Sequence, residues 1–128
     1  METIKIAGNR VLPDIYFDAV KNSFLVAGRS CPEDVSKFYM PLIEWLEEYG
    51  KNPNPKTVFD FKLTYYNTAS AKMLLSLMQK IEEMHTEGKD VLIRWYFPDD
   101  DEDLEEAGED FKDILEVPFE LISYEYED

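Results

Sequence analysis

The chain has 128 residues, 28 acids against 13 Lys plus Arg, and a formal net charge of −15. Residues 1–98 hold 13 acids and 12 bases, whereas residues 99–128 hold 15 acids and one base, Lys112, a net of −14. That balance excludes a nucleic-acid binder that neutralises phosphates and excludes docking on an anionic membrane. The length suits one domain over residues 1–128, since domains most often run roughly 100–150 residues. A single cysteine, Cys31, forms no internal bridge and points to a reducing compartment. No N-terminal segment reads as a secretion signal, and no apolar run approaches a membrane span. The expectation is a cytoplasmic protein.

In chain order, Asp14–Asp18 and Ser23–Ala27 are strand-like runs joined by a turn over 19–22, a hairpin ended by Gly28. Ser30-Cys31-Pro32-Glu33-Asp34 reads as a helix start with Pro32 at the first helical position. Val35, Phe38, Leu42, Trp45 and Tyr49 then form one apolar stripe, which Pro41 interrupts and should kink near Lys37. Lys51–Pro55 is a loop. Thr57–Tyr66 alternates as a long strand, with Phe59, Phe61, Leu63 and Tyr65 on one face and Val58, Asp60, Lys62, Thr64 and Tyr66 on the other, which reads as open to water. A second helix spans about 70–87, with Gly88 as its stop. Val91–Phe97 is a strand, Leu104–Leu115 an acidic helix, and Phe119–Tyr126 a last strand. The order β-β-α-β-α-β-α-β predicts an α/β fold, a mostly parallel sheet with helices mainly on one face.

Little in the chain reads as catalytic. His85 stands alone near a helix end, without a nucleophile and orienting partner around it. The glycines do not cluster into a phosphate-cradling loop, and one Cys with one His makes no zinc site. Asp99, Asp101 and Asp103 alternate like a calcium loop, but Leu104 and Asp110 occupy the positions that need Gly and Glu. A small acidic enzyme or metal-binding protein using Asp60 or the Asp99–Asp103 carboxylates is the alternative reading.

The informative segment is Tyr65-Tyr66-Asn67-Thr68-Ala69-Ser70, which joins the long strand to the second helix. A helix N-terminus at a strand end offers unpaired N–H groups and a positive dipole end, where a phosphoryl group is stabilised. Thr68 and Ser70 are therefore candidate switch residues, against their ordinary role as helix caps.

Gly28-Arg29-Ser30-Cys31-Pro32-Glu33, then Phe38-Tyr39, Trp45-Leu46, Tyr65–Ser70, Arg94-Trp95-Tyr96 and Gly108-Glu109-Asp110 follow one another in a characteristic order. From about Pro13 to Tyr124 the chain resembles the SiaC-type regulatory phosphoproteins of bacteria. The resemblance implies a STAS-like fold and a non-enzymatic partner switch without a cofactor or metal. It maps the phospho-acceptor threonine onto Thr68, with Ser70 as second choice. It implies a dedicated protein kinase, a PP2C-type phosphatase, and a downstream target engaged by the unmodified form, in some systems a diguanylate cyclase. Tyr65, Tyr66, Asn67 and Ala69, with Ser30, Cys31 and Pro32, would line the partner surface. Cys31 stands where the family more often has Tyr, Asp34 where it has Asn, and Ala69 where it has Ser. The acidic last 30 residues, apart from this switch in sequence, are expected to supply solubility and selection of a basic partner.

Overall fold

The computed structural model describes residues 1–125. Its elements are β1 (Ile4–Ile6), β2 (Asp14–Asp18), β3 (Ser23–Ser30), α1 (Val35–Gly50), β4 (Thr57–Tyr66), α2 (Thr68–Thr86), β5 (Val91–Pro98), α3 (Glu102–Ile114) and β6 (Phe119–Tyr124). They build one six-stranded sheet in the order β1-β2-β3-β4-β5-β6. β1, β2 and β3 pair antiparallel, and β3 to β6 pair parallel. This is the expected mixed, mostly parallel α/β sheet with one strand more than the sequence suggests. β1 pairs Ile4 with Phe17 and Ile6 with Ile15. Three residues are too few for alternation to announce a strand. Tyr126, expected in the last strand, lies outside the described residues.

The β2–β3 turn falls at 19–22 as expected, with Asp18 Oδ1 accepting from Lys21 N at 3.0 Å and Asn22 in the left-handed region. All three helix starts differ from expectation, α3 opening at Glu102 and not at Leu104 because Asp101 is its cap. α1 begins at Val35 and not at Pro32, because the Asp34 carboxylate caps it by accepting from Lys37 N at 3.1 Å. Pro32 stays buried ahead of the helix, and Cys31 N is still paired with Val11 O at 2.8 Å. α2 begins at Thr68 and not Ser70, for Asn67 is its cap. α1 runs unbroken from Val35 to Gly50 through Pro41. Its buried stripe is Tyr39, Leu42, Ile43, Trp45, Leu46 and Tyr49, with Val35 and Phe38 outside it.

All three helices cover one face. Trp45 packs on Phe17 at 5.3 Å between ring centroids, and Phe111 of α3 packs on Trp95, also at 5.3 Å. Leu74, Leu77, Met78 and Ile81 of α2 are fully buried in the same core. The opposite face carries half-exposed and polar side chains. There Arg94 donates twice to Asp60, at 2.6 and 3.0 Å, and Lys62 lies 4.6 Å above the Tyr124 ring.

α3 is seated by its glycine. A Cβ at Gly108 would lie 2.4 Å from Trp95 Cδ1 and 2.6 Å from Leu121 Cδ2. Trp95 Nε1 also donates to Leu104 O at 3.0 Å, so the indole is fixed on both sides. Gly108→Ala should therefore destabilise the protein by about 1–3 kcal/mol through overpacking. Thermal unfolding reads this as a lower Tm; an unchanged or higher Tm would show that α3 shifts freely.

Candidate functional site

β3, β4 and β5 run parallel, so Ser30, Tyr66 and Pro98 end at one edge of the sheet. α1, α2 and α3 start from that edge. Each is closed by a side chain that accepts from the backbone N–H three residues on: Asp34, Asn67 and Asp101. The edge therefore collects three positive helix ends.

A bulge sets which side chains face out. β3 and β4 pair Gly28 with Leu63, and then Arg29 with Tyr65, so Thr64 is the extra residue. Gly28 meets the irregularity with a φ of +91°, a conformation that favours glycine. The extra residue reverses the inside–outside phase of the strand end. Tyr65, expected beside Phe59, Phe61 and Leu63 on the core face, is instead 45% exposed. Tyr66 takes the inward place and meets Trp95 edge to face at 6.1 Å. Its phenol is pushed up to about 12 by burial and by the negative charge of Asp110. The Arg29 guanidinium lies 4.7 Å above the Tyr65 ring, a cation–π contact on the exposed side.

Thr68 is the first residue of α2 and is exposed, as is Ala69. Neither Thr68 nor Ser70 caps the helix. Asn67 Oδ1 does so, accepting from Ser70 N at 2.9 Å. The Ser70 side chain is fully buried, and its Oγ accepts from Ser30 Oγ at 2.9 Å. Ser30 is equally buried and hydrogen-bonds the Tyr39 phenol, which burial pushes up to about 12 against the opposing pull of these two serines. Of the residues expected to line a partner surface, Tyr65 and Ala69 are exposed, and Tyr66, Asn67 and Cys31 are half-buried. Ser30 and Pro32 are buried and support the edge from beneath.

Sequence reasoning missed Tyr39, Arg29 and the nearness of the acidic segment. Tyr39 is in phase with the α1 stripe, three residues before Leu42 and seven before Leu46, which is the signal that could have found it. The acidic run is not apart from the site. Asp101, Asp103 and Leu104 line a cleft of about 350 Å³ with Thr64, Tyr65 and Tyr66. Asp100 and Asp101 line a second, of about 440 Å³, with Arg29, Thr64 and Pro98. β5 neighbours β4, so the helix after it starts on the same edge. Asp101 is occupied as a cap at 2.9 Å from Leu104 N, and Asp60 as the ion-pair partner of Arg94. Among the described residues no group of three or more His, Cys, Asp or Glu is placed to hold a metal ion. His85 is exposed in the last turn of α2. No described helix is long and apolar enough to cross a membrane.

What the edge offers is an exposed hydroxyl, an exposed ring and shallow clefts, the equipment of a regulatory interaction domain. Comparison with known proteins agrees. Residues 6–124 match the model of the SiaC family of regulatory phosphoproteins. An uncharacterised protein of Pseudomonas aeruginosa (strain UCBPP-PA14) is 26% identical over 125 residues, covering 98% of this chain and 99% of that one. The solved structure of SiaC of Pseudomonas aeruginosa superposes with a TM-score of 0.88 at 26% identity, covering 97% of this chain and 100% of that one. A crystal structure of the diguanylate cyclase SiaD in complex with its activator SiaC, from the same organism, also matches: TM-score 0.88, 26% identity, 94% of this chain and 99% of that one. The chain belongs to the SiaC family of regulatory phosphoproteins. It is a regulator, and the reading as an acidic enzyme is set aside.

Two predictions separate the roles at the helix start. Asn67→Ala should cost about 0.5–2 kcal/mol in urea unfolding, as the loss of a cap does. Thr68→Ala should stay within about 0.5 kcal/mol, as for an exposed substitution; the reverse ranking would make Thr68 the cap. A third concerns alkali. The folded state raises the Tyr39 phenol from 10.0 to about 12, so it keeps a proton that the unfolded chain releases. The stability from this shift is whole below about pH 10 and falls as pH rises toward about 12, with Tyr66 acting in the same sense. Urea unfolding at about pH 9 and about pH 11 should show a smaller loss in Tyr39→Phe than in the wild type, an equal loss arguing against the shift.

Proposed function

We propose that this chain is a partner switch, a single STAS-like regulatory domain of the cytoplasm, phosphorylated reversibly on Thr68. A dedicated protein kinase adds the phosphoryl group and a PP2C-type phosphatase removes it. The unmodified form binds and activates a downstream target. Similarity to the Pseudomonas aeruginosa protein that activates SiaD makes a diguanylate cyclase the target class. The observation that carries this reading is the contrast between two hydroxyls. Thr68 is exposed at the start of α2 with the capping role already taken by Asn67, whereas Ser70 is buried and hydrogen-bonded.

The mechanism is electrostatic and steric. A phosphoryl group adds about −1.5 to −2 charge at neutral pH. The α2 dipole end stabilises that charge within the protein. For a partner the same group is bulk and negative charge on the edge that already carries Asp101 and Asp103. Tyr65 supplies an aromatic anchor beside it, of the kind enriched at interface centres. Free Cys31 accords with a reducing compartment.

Co-expression with the cognate kinase should add one phosphate by intact mass, and Thr68→Ala should remove it. A phosphate that persists in Thr68→Ala overturns the assignment. The unmodified protein should stimulate the cyclase, and the phosphorylated form should not.

A further inference from the structure

Three hydroxyls from three elements meet beneath Thr68: Ser30 at the end of β3, Tyr39 in α1 and Ser70 in the first turn of α2, each with a relative exposure of 0%. Ser30 Oγ donates to Ser70 Oγ at 2.9 Å and is hydrogen-bonded to the Tyr39 hydroxyl. A hydroxyl has one proton to donate. Ser30 directs its proton to Ser70, so the Tyr39 phenol is the donor to Ser30, and the chain runs from Tyr39 to Ser30 to Ser70. The backbone adds a second tie. Asn67 N donates to Ser30 O at 3.2 Å, and Asn67 Oδ1 accepts from Ser70 N at 2.9 Å. Thr68 therefore sits between two residues, Asn67 and Ser70, that are both held by Ser30. Buried polar groups are costly unless paired, and a fully paired set defines one arrangement of the elements it joins.

We propose that Tyr39 is a positioning residue for the switch: through Ser30 and Ser70 it fixes the start of α2 and so presents the Thr68 hydroxyl in one orientation. This rests on Thr68 being the modified residue. A loose helix start would present the hydroxyl in several orientations, of which the kinase accepts one.

The fold supplies its own control. At the opposite end of α1, the Tyr49 hydroxyl bonds Thr57 Oγ1 at 2.7 Å, also buried. Tyr49→Phe removes this buried hydroxyl bond, and the one that Asn54 N donates to the same oxygen at 3.1 Å, away from Thr68. Tyr39→Phe, Ser30→Ala and Tyr49→Phe should be compared by amide hydrogen exchange without kinase and by steady-state phosphorylation with the cognate kinase. In Tyr39→Phe and Ser30→Ala, exchange of the hydrogen-bonded amides of Asn67, Ser70 and Ala71 should rise about five-fold or more, the factor set by one lost hydrogen bond. The phosphorylation KM should rise with kcat less affected. Tyr49→Phe should leave both readouts at the wild-type level, and combining Tyr39→Phe with Ser30→Ala should add little to either alone. Should Tyr39→Phe fail to fold, Ser70→Ala is expected to show the same pattern. Equal effects of Tyr39→Phe and Tyr49→Phe, or unchanged exchange of the Asn67, Ser70 and Ala71 amides in Tyr39→Phe, would overturn the proposal. A wild type that takes up no phosphate refutes the Thr68 assignment instead, while the exchange comparison still decides whether Tyr39 holds the helix start.

Discussion

A strand joins a parallel neighbour only by a crossover, and for L-amino acids that crossover is right-handed. From β3 to β6 the chain makes three in succession, each stepping to the next position in the sheet. Identical handedness and identical direction leave one outcome: all three helices on the same face, and all three helix starts at the same edge. The core, the helix-free face and the location of Thr68 follow from this constraint. So does the meeting of Tyr65 with Asp101 and Asp103, far apart in sequence but one strand apart in space.

Within that frame, a local irregularity decides what the edge displays. A regular β4 would have pointed Tyr65 into the core and Tyr66 toward solvent. One inserted residue, Thr64, exchanges them. Burial of Tyr66 against Trp95 then ties the end of β4 to the part of the core where α3 sits, since Phe111 packs on the same indole. The edge is thus fixed from two sides, by the Trp95 contacts under Tyr66 and by the hydroxyl chain under Ser70.

Much of this is legible in the amino-acid sequence. The hairpin, the alternation of Phe59, Phe61 and Leu63, the second helix with Leu74, Leu77 and Ile81 inward, and the mostly parallel sheet all follow from period and turn chemistry. The segment from Tyr65 to Ser70 stands out at the residue level. What the sequence hides has physical causes. β1 is too short to show a period. The bulge needs the pairing register of two strands, which Gly28 alone does not reveal. Capping by Asn67 in place of Thr68 or Ser70 turns on the depth of one hydroxyl, since Ser70 is drawn inward by Ser30. The acidic run looks remote by its place in the chain, and only the strand order brings it beside Thr64 and Tyr66.

Among the described residues β6 has a neighbour on one side only, and β1 at the other border is three residues long. An open strand border is a template on which further chains can pair, and proteins guard it with brevity or charge. Here each border uses one of these devices. β1 offers too little length for a stable addition. β6 carries Glu120 beside its first residue, with Glu116 before it, Glu125 after it and the acidic α3 alongside. Two copies approaching border to border would bring like charges together before any backbone pairing forms. The −14 of the last 30 residues thereby sets like-charge repulsion against pairing of two copies along this border.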